Sequence, residues 1–107
     1  MHSLIESIRE RLENHFNPRA ARGIRNVFVF DLTDEKTYTL LIDDGTMQFD
    51  QYRHPEPDIT FITDSATLER IFNGEVSGTT AMMMGDIKAE GDWMVATRLK
   101  RLFKTIK

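Results

Sequence analysis

The chain has 107 residues, 40% hydrophobic and 29% charged, with a net charge of −3 and no cysteine. That length supports one sizeable core and excludes two full domains, while the apolar content excludes a disordered chain. The missing cysteine rules out a disulfide framework, a thiolate nucleophile and a zinc-thiolate site, and the acidic balance disfavours nucleic acid as a partner.

Ser3 and Glu6 form a Ser-x-x-Glu capping box, in which hydroxyl and carboxylate each satisfy a free amide. Leu4, Ile8, Leu12 and Phe16 follow at four-residue spacing, with Ile5 widening the stripe. This predicts an amphipathic helix ending near Asn17-Pro18. The first residues carry acid early and lack a signal-peptide core, and no apolar run approaches the roughly 20 residues that span a bilayer. A cytoplasmic location is therefore the expectation. Pro18 to Gly23 reads as a turn.

From Asn26 the period changes. Val27-Phe28-Val29-Phe30 is β-branched and aromatic, as strands prefer. A polar turn at Thr33-Asp34-Glu35-Lys36 leads to a second strand, Thr37 to Ile42, and Asp44-Gly45 signals a hairpin. A third strand, Met47 to Tyr52, alternates apolar and polar residues, completing an antiparallel meander. Pro55 and Pro57 then interrupt any ladder, and Asp58 to Ile62 is a fourth strand. Asp64 or Ser65 caps a helix carrying Leu68, Ile71 and Phe72, which Asn73-Gly74 stops. Thr79 to Met84 reads as a short helix and Asp86 to Glu90 as a fifth strand closed by Gly91. Asp92 caps a last helix whose stripe is Val95, Leu99, Leu102 and Ile106. This order is α+β, with helices over one sheet face.

Asp58-Ile59-Thr60-Phe61-Ile62-Thr63-Asp64, with Leu68, Ile71 and Gly74-Glu75, is followed by Ala81-Met82-Met83-Met84-Gly85-Asp86-Ile87-Lys88-Ala89-Glu90-Gly91-Asp92. These segments resemble the sterol-binding domain of the sterol carrier protein 2 family. That family's pattern is an extended Asp-hydrophobic-Thr strand and a capped helix ending in Gly. An apolar-x-Gly-x-hydrophobic-x-hydrophobic-x-Gly-Asp/Asn segment follows. Val27 to Phe30 and Ile42 to Gly45 fall where the family has its first hairpin. The resemblance covers nearly the whole chain and implies a five-stranded, mostly antiparallel sheet with helices over one face. It also implies an apolar cavity between the layers for lipids, fatty acids, acyl-CoA or sterol-like ligands. Ala89 departs from the family's β-branched preference, and Thr105-Ile106-Lys107 is not a peroxisomal Ser-Lys-Leu address.

The residues carry a compatible reading. Methionine is flexible and polarizable, so methionine-rich surfaces repack around irregular apolar ligands. The expected cavity lining is Phe28, Phe30, Leu40, Phe61, Leu68, Phe72, Met82, Met83 and Met84; the competing reading of each is ordinary core filling. Three consecutive methionines cannot all face one small core, so at least one must lie at a pocket edge or on the surface. Trp93, Met94, Leu99 and Leu102 are expected to form a lid. The residues from Trp93 onward hold five cations and no acid, which suits transient contact with anionic membrane headgroups. A packed helix with a solvated basic face is the alternative.

Catalytic chemistry finds little support. His2, His15 and His54 lack metal-site spacing, and Asp31, Asp34, Asp43 and Asp44 do not match a calcium loop. Gly74, Gly78, Gly85 and Gly91 are dispersed rather than gathered in a phosphate loop. No catalytic residue, metal or cofactor is assigned. The expected function is non-catalytic carriage of an apolar ligand by a single domain over residues 1–107. Two alternatives stand beside it: an accessory module holding an apolar intermediate for a partner enzyme, and a dimerising structural domain without ligand. The oligomeric state stays open at this point.

Overall fold

The structure, a computed structural model, describes residues 4–107. The Ser3 half of the expected capping box lies outside the described residues. Helix α1 (Leu4–His15) buries Ile5, Ile8 and Leu12 at helical spacing, and Pro18, which disfavours helical backbone at the preceding residue, follows soon after its end. Phe16 leaves the helix to form a single antiparallel bridge with Phe103. Asn17 donates its N–H to the Leu102 carbonyl at 2.8 Å, tying the start of the chain to its end.

Five strands follow: β1 (Arg25–Leu32), β2 (Thr37–Asp43), β3 (Thr46–Asp50), β4 (Ile59–Thr63) and β5 (Ile87–Gly91). Their order across the sheet is β3-β2-β1-β4-β5. The first three strands form the expected antiparallel meander, and β4–β5 is antiparallel too, but β4 runs parallel to β1. The sheet is thus mixed and mostly antiparallel. β3 stops at Asp50, two residues before the expected Tyr52, whose side chain is exposed. β5 forms through Ala89 without a β-branched residue there.

The register places Phe28 opposite Leu40 and Ile59, Phe30 opposite Tyr38 and Phe61, and Leu40 opposite Phe49. Paired residues share a face, so these side chains gather into one buried core. The helices cover this face: α2 (Ser65–Phe72), α3 (Gly78–Met83) and α4 (Trp93–Leu102) join α1 there. Each of these three starts on a capping side chain. Asp64 accepts from the Thr67 N–H, Ser77 from Thr80 and Asp92 from Met94.

The opposite face carries Val27 and Val29 on β1, with Val29 fully buried. Residues 51–57 cover it as they cross from the β3 edge to β4. The Thr39 hydroxyl, on the residue paired with Val29, donates to the Tyr52 carbonyl at 2.6 Å and accepts the His54 N–H at 3.2 Å. Arg53 adds an ion pair to Asp31 at 2.9 Å. The prolines of this strap remove donors that a strand would have used.

The last helix is shorter than its apolar stripe suggested. It ends at Leu102 because Phe103 turns extended to pair with Phe16, and the Thr105 hydroxyl donates to the Phe72 carbonyl at 2.7 Å. Ile106 therefore belongs to a tail laid against α2. At the other end, Gly91 has φ +127°, and a Cβ there would lie 2.5 Å from the Asp58 carbonyl oxygen. Only glycine fits this junction between β5 and α4.

Candidate functional site

A pocket of about 170 Å³ opens between the sheet and helices α2, α3 and α4. Phe30 and Phe61 rise from the two parallel central strands as a stacked pair, with ring centroids 5.5 Å apart and planes 15° from parallel. Phe72 of α2 meets Phe30 edge-on at 5.8 Å. With Leu68 and Ile71, these rings form an apolar floor of buried side chains. Aromatic pairs in offset or edge-on contact give such a floor fixed positions as well as buried area.

The walls come from α3 and α4. α4 presents two faces: Val95, Leu99 and Leu102 are buried, while Trp93, Ala96, Thr97 and Lys100 border the pocket. Spacings of three, one and three put the latter four on one side of a helix. Thr79 and Met82 of α3 stand on the other rim, and Ile106 and Lys107 of the tail close one end. The lining contains two lysines and no acidic side chain.

The expected lining residues separate into three groups. Phe30, Phe61, Leu68, Phe72 and Met82 border the pocket, as do Trp93 and Leu99 from the expected lid. Phe28, Leu40 and Leu102 are buried on the same sheet face but lie in the core away from the pocket. Met83, Met84 and Met94 are turned to solvent, at 84%, 69% and 73% exposure. A six-residue helix can aim only part of a methionine run inward, and here Met82 takes that direction. Ile71 and Ile87 also border the pocket, as do Ala96, Thr97 and Lys100, although sequence reasoning missed all five. The spacing of the α4 residues was available as a signal; the place of Ile106 and Lys107 was not, because it depends on where α4 stops.

Helix α4 is held by a polar contact that its sequence pattern did not suggest. Arg98 donates to the Asn26 side-chain oxygen at 2.8 Å, and Asn26 donates to Asp58 at 3.3 Å. Asp58 also accepts the Val27 N–H at 2.7 Å. Arg98 therefore does not keep its charged end in water like the exposed Lys100, Arg101 and Lys104; it fastens α4 across β1.

Among the described residues no group of three His, Asp or Glu side chains is placed to hold a metal ion. His54 lies in the strap on the opposite sheet face, where its Nδ1 accepts the Glu56 N–H at 3.0 Å. No helix of the described residues is long and apolar enough to cross a membrane.

A five-stranded, mostly antiparallel sheet with helices over one face is the α+β arrangement that the sequence resemblance implied. A model of the SCP-2 sterol transfer family matches residues 5–104. The chain belongs to that family. No curated protein matches it significantly. Among solved structures, the SCP-2 fold recurs in the stereoselective inverting sec-alkylsulfatase Pisa1 from Pseudomonas sp., with a TM-score of 0.76 and 20% identity over 90% of this chain. This chain spans only 15% of that enzyme's length. Sterol carrier protein-2 from Aedes aegypti, solved in complex with palmitate, has a TM-score of 0.72 and 16% identity, with complete coverage of both chains. Palmitated SCP2L2 from the same organism has a TM-score of 0.64 and 23% identity over 92% of this chain and 88% of its own. At such identities the likeness is one of fold.

Proposed function

We propose that this chain is a non-catalytic carrier that seats the apolar part of a lipid-like ligand between its sheet and helices. The observation that carries this reading is the polarity of the pocket: its floor is buried aromatic and aliphatic, and its polar residues stand at the rim. Carriage needs a dry, shaped cavity and a few orienting groups, not a nucleophile. The two palmitate-containing relatives in the family support a fatty-acyl ligand. Native mass spectrometry of gently purified protein tests the reading. Added mass that is removed by lipid extraction is the expected result. A clean mass, with no uptake of a fluorescent fatty-acid analogue, would overturn it.

The carrier would load and unload at anionic membrane surfaces. Exposed Arg101 on α4 and Lys104 just beyond its end supply attraction, and Met83, Met84 and Met94 adjoin the pocket-lining Met82 and Trp93 as apolar groups able to enter the headgroup layer. A second reading, an accessory domain presenting an apolar ligand to an enzyme, draws on the likeness to part of an alkylsulfatase. Stoichiometric co-purification of a specific enzyme would favour it.

A further inference from the structure

We propose that two copies of this chain join through the free edge of β5, antiparallel and centred on Ala89. This inference stands apart from the carrier reading. The two edges of the sheet are finished differently. At the β3 edge, Arg9 of α1 donates to the Phe49 carbonyl and holds its guanidinium 5.3 Å from the centre of the Phe49 ring. A charged side chain in that position blunts an edge against further pairing. The β5 edge carries no such cap among the described residues, and Lys88, Glu90 and Gly91 are exposed there. Its backbone phase follows from one bond. The Asp92 N–H donates to the Asp58 carbonyl at 2.8 Å, one position beyond the Ile59–Gly91 pair. Hydrogen-bonding direction alternates along a strand, so Glu90 and Lys88 turn their N–H and C=O groups toward β4, and Ala89 turns its pair outward.

Charge identifies the occupant. In antiparallel pairing about Ala89, each Ala89 donates to and accepts from the other, and Lys88 lies directly opposite Glu90 of the second copy, twice by symmetry. Both side chains stand on the outer sheet face, beside Ile62 and Thr60. Centring on Lys88 or on Glu90 instead would oppose like charges, which destabilises a cross-strand pair. Centring on Ala89 also uses the whole of β5. The strand is thus its own complement, and the partner it fits is a second copy of this chain. Met84 precedes β5 and Trp93 and Met94 follow it, all exposed. Antiparallel pairing sets the start of one β5 beside the end of the other, so these groups of the two copies approach along the seam and add apolar contact to the backbone bonds.

Sedimentation equilibrium of the full chain from about 1 µM to 1 mM tests the assembly, and a monomer–dimer equilibrium is expected. K88E and E90K each make both cross-strand pairs repulsive and should weaken association by about tenfold or more. The double swap K88E/E90K restores opposite charges and should return to within about threefold of the parent. Mixing the two single variants should give a heterodimer, because an all-acidic strand then meets an all-basic one. In the parent, amide hydrogen exchange at Ala89 should slow by about tenfold at the dimeric end of the range. Should a single variant fail to fold by circular dichroism, this exchange measurement in the parent decides alone. A parent that stays monomeric throughout overturns the proposal and leaves the β5 edge to an extended segment of a different protein. A dimer indifferent to both charge reversals, or one that leaves Ala89 exchange unchanged, has its interface elsewhere and also overturns it.

Discussion

Asp34 sits in the turn between β1 and β2, yet its carboxylate accepts the Ser65 hydroxyl at 2.6 Å and the Ser65 N–H at 2.9 Å. It thus joins Asp64 in satisfying the free amides that open α2, the helix behind the pocket floor. The Ser65 hydroxyl first, and its N–H second, hold Asp34 below its ordinary value of 3.8. A lowered folded value means that the stabilisation is complete above the unfolded value and is lost as pH falls through the folded one. Asp34→Asn should therefore lower the urea midpoint at neutral pH and converge with the parent as pH falls below the folded value. A difference that persists undiminished at acid pH would show that the charge is not what matters. Among the methionines, direction decides the outcome. Met82→Asp places a charge in the pocket wall and should abolish binding of a fluorescent acyl probe. Met83→Asp alters an exposed side chain and should change stability by less than about 0.5 kcal/mol with probe binding kept. Equal loss of binding in both variants would contradict the placement of the run.

At the scale of elements, α4 is the part most able to respond to a ligand. Its buried stripe packs on the core while its other side borders the pocket, and Arg98 ties it to Asn26. Leu99→Ala should cost about 2–5 kcal/mol. Because Leu99 also borders the pocket, ligand release in stopped-flow should speed up before the fold is lost. Arg98→Ala should raise amide hydrogen exchange in α4 more than in α2, since it removes a fastening particular to α4; equal exchange in both would deny the contact that role. Much of this architecture could be read in advance. Asp44-Gly45 turns the β2–β3 hairpin, Asp44 with φ +43° and Gly45 with φ +87°, and Asp64 and Asp92 cap the helices expected of them. Such signals are local, each settled within a few residues. The parallel pairing of β1 with β4, the strap over Val29 and the early end of α4 depend on distant partners, Ile59, Thr39 and Phe16. Sequence periodicity does not encode these partners. The pocket was legible in outline for the same reason: its aromatic floor follows from strand alternation, whereas its lysine rim follows from where the chain finally comes to rest.

For the molecule as a whole, charge is divided unevenly. The last fifteen residues hold five cations and no acid in a chain whose net charge is −3, so this segment is the basic part of an acidic protein. R101E/K104E should weaken association with phosphatidylserine-containing vesicles. Each lost cation near the surface contributes about 1 kcal/mol, or about fivefold in affinity, before the repulsion added by the new acids. Binding by the parent should also fall as salt rises, because exposed charges are screened beyond about 8–10 Å. Vesicle association indifferent to both changes would rule out electrostatic docking through α4.

The parallel pairing of β1 and β4 also constrains how the molecule assembles in time. β1 can acquire β2 through a four-residue turn within microseconds, the scale of hairpin formation. Its other neighbour arrives only after β3 and the strap have been laid down, so closing β1 on β4 carries the loop entropy of everything between them. We expect this closure to set the refolding rate. In a chevron analysis Val29→Ala, beneath the strap at the β1–β4 junction, should slow folding, whereas Leu99→Ala should act mainly by hastening unfolding. The central strand would then be the first to form and the last to be completed, with the pocket floor built from Phe30 and Phe61 appearing at that final step.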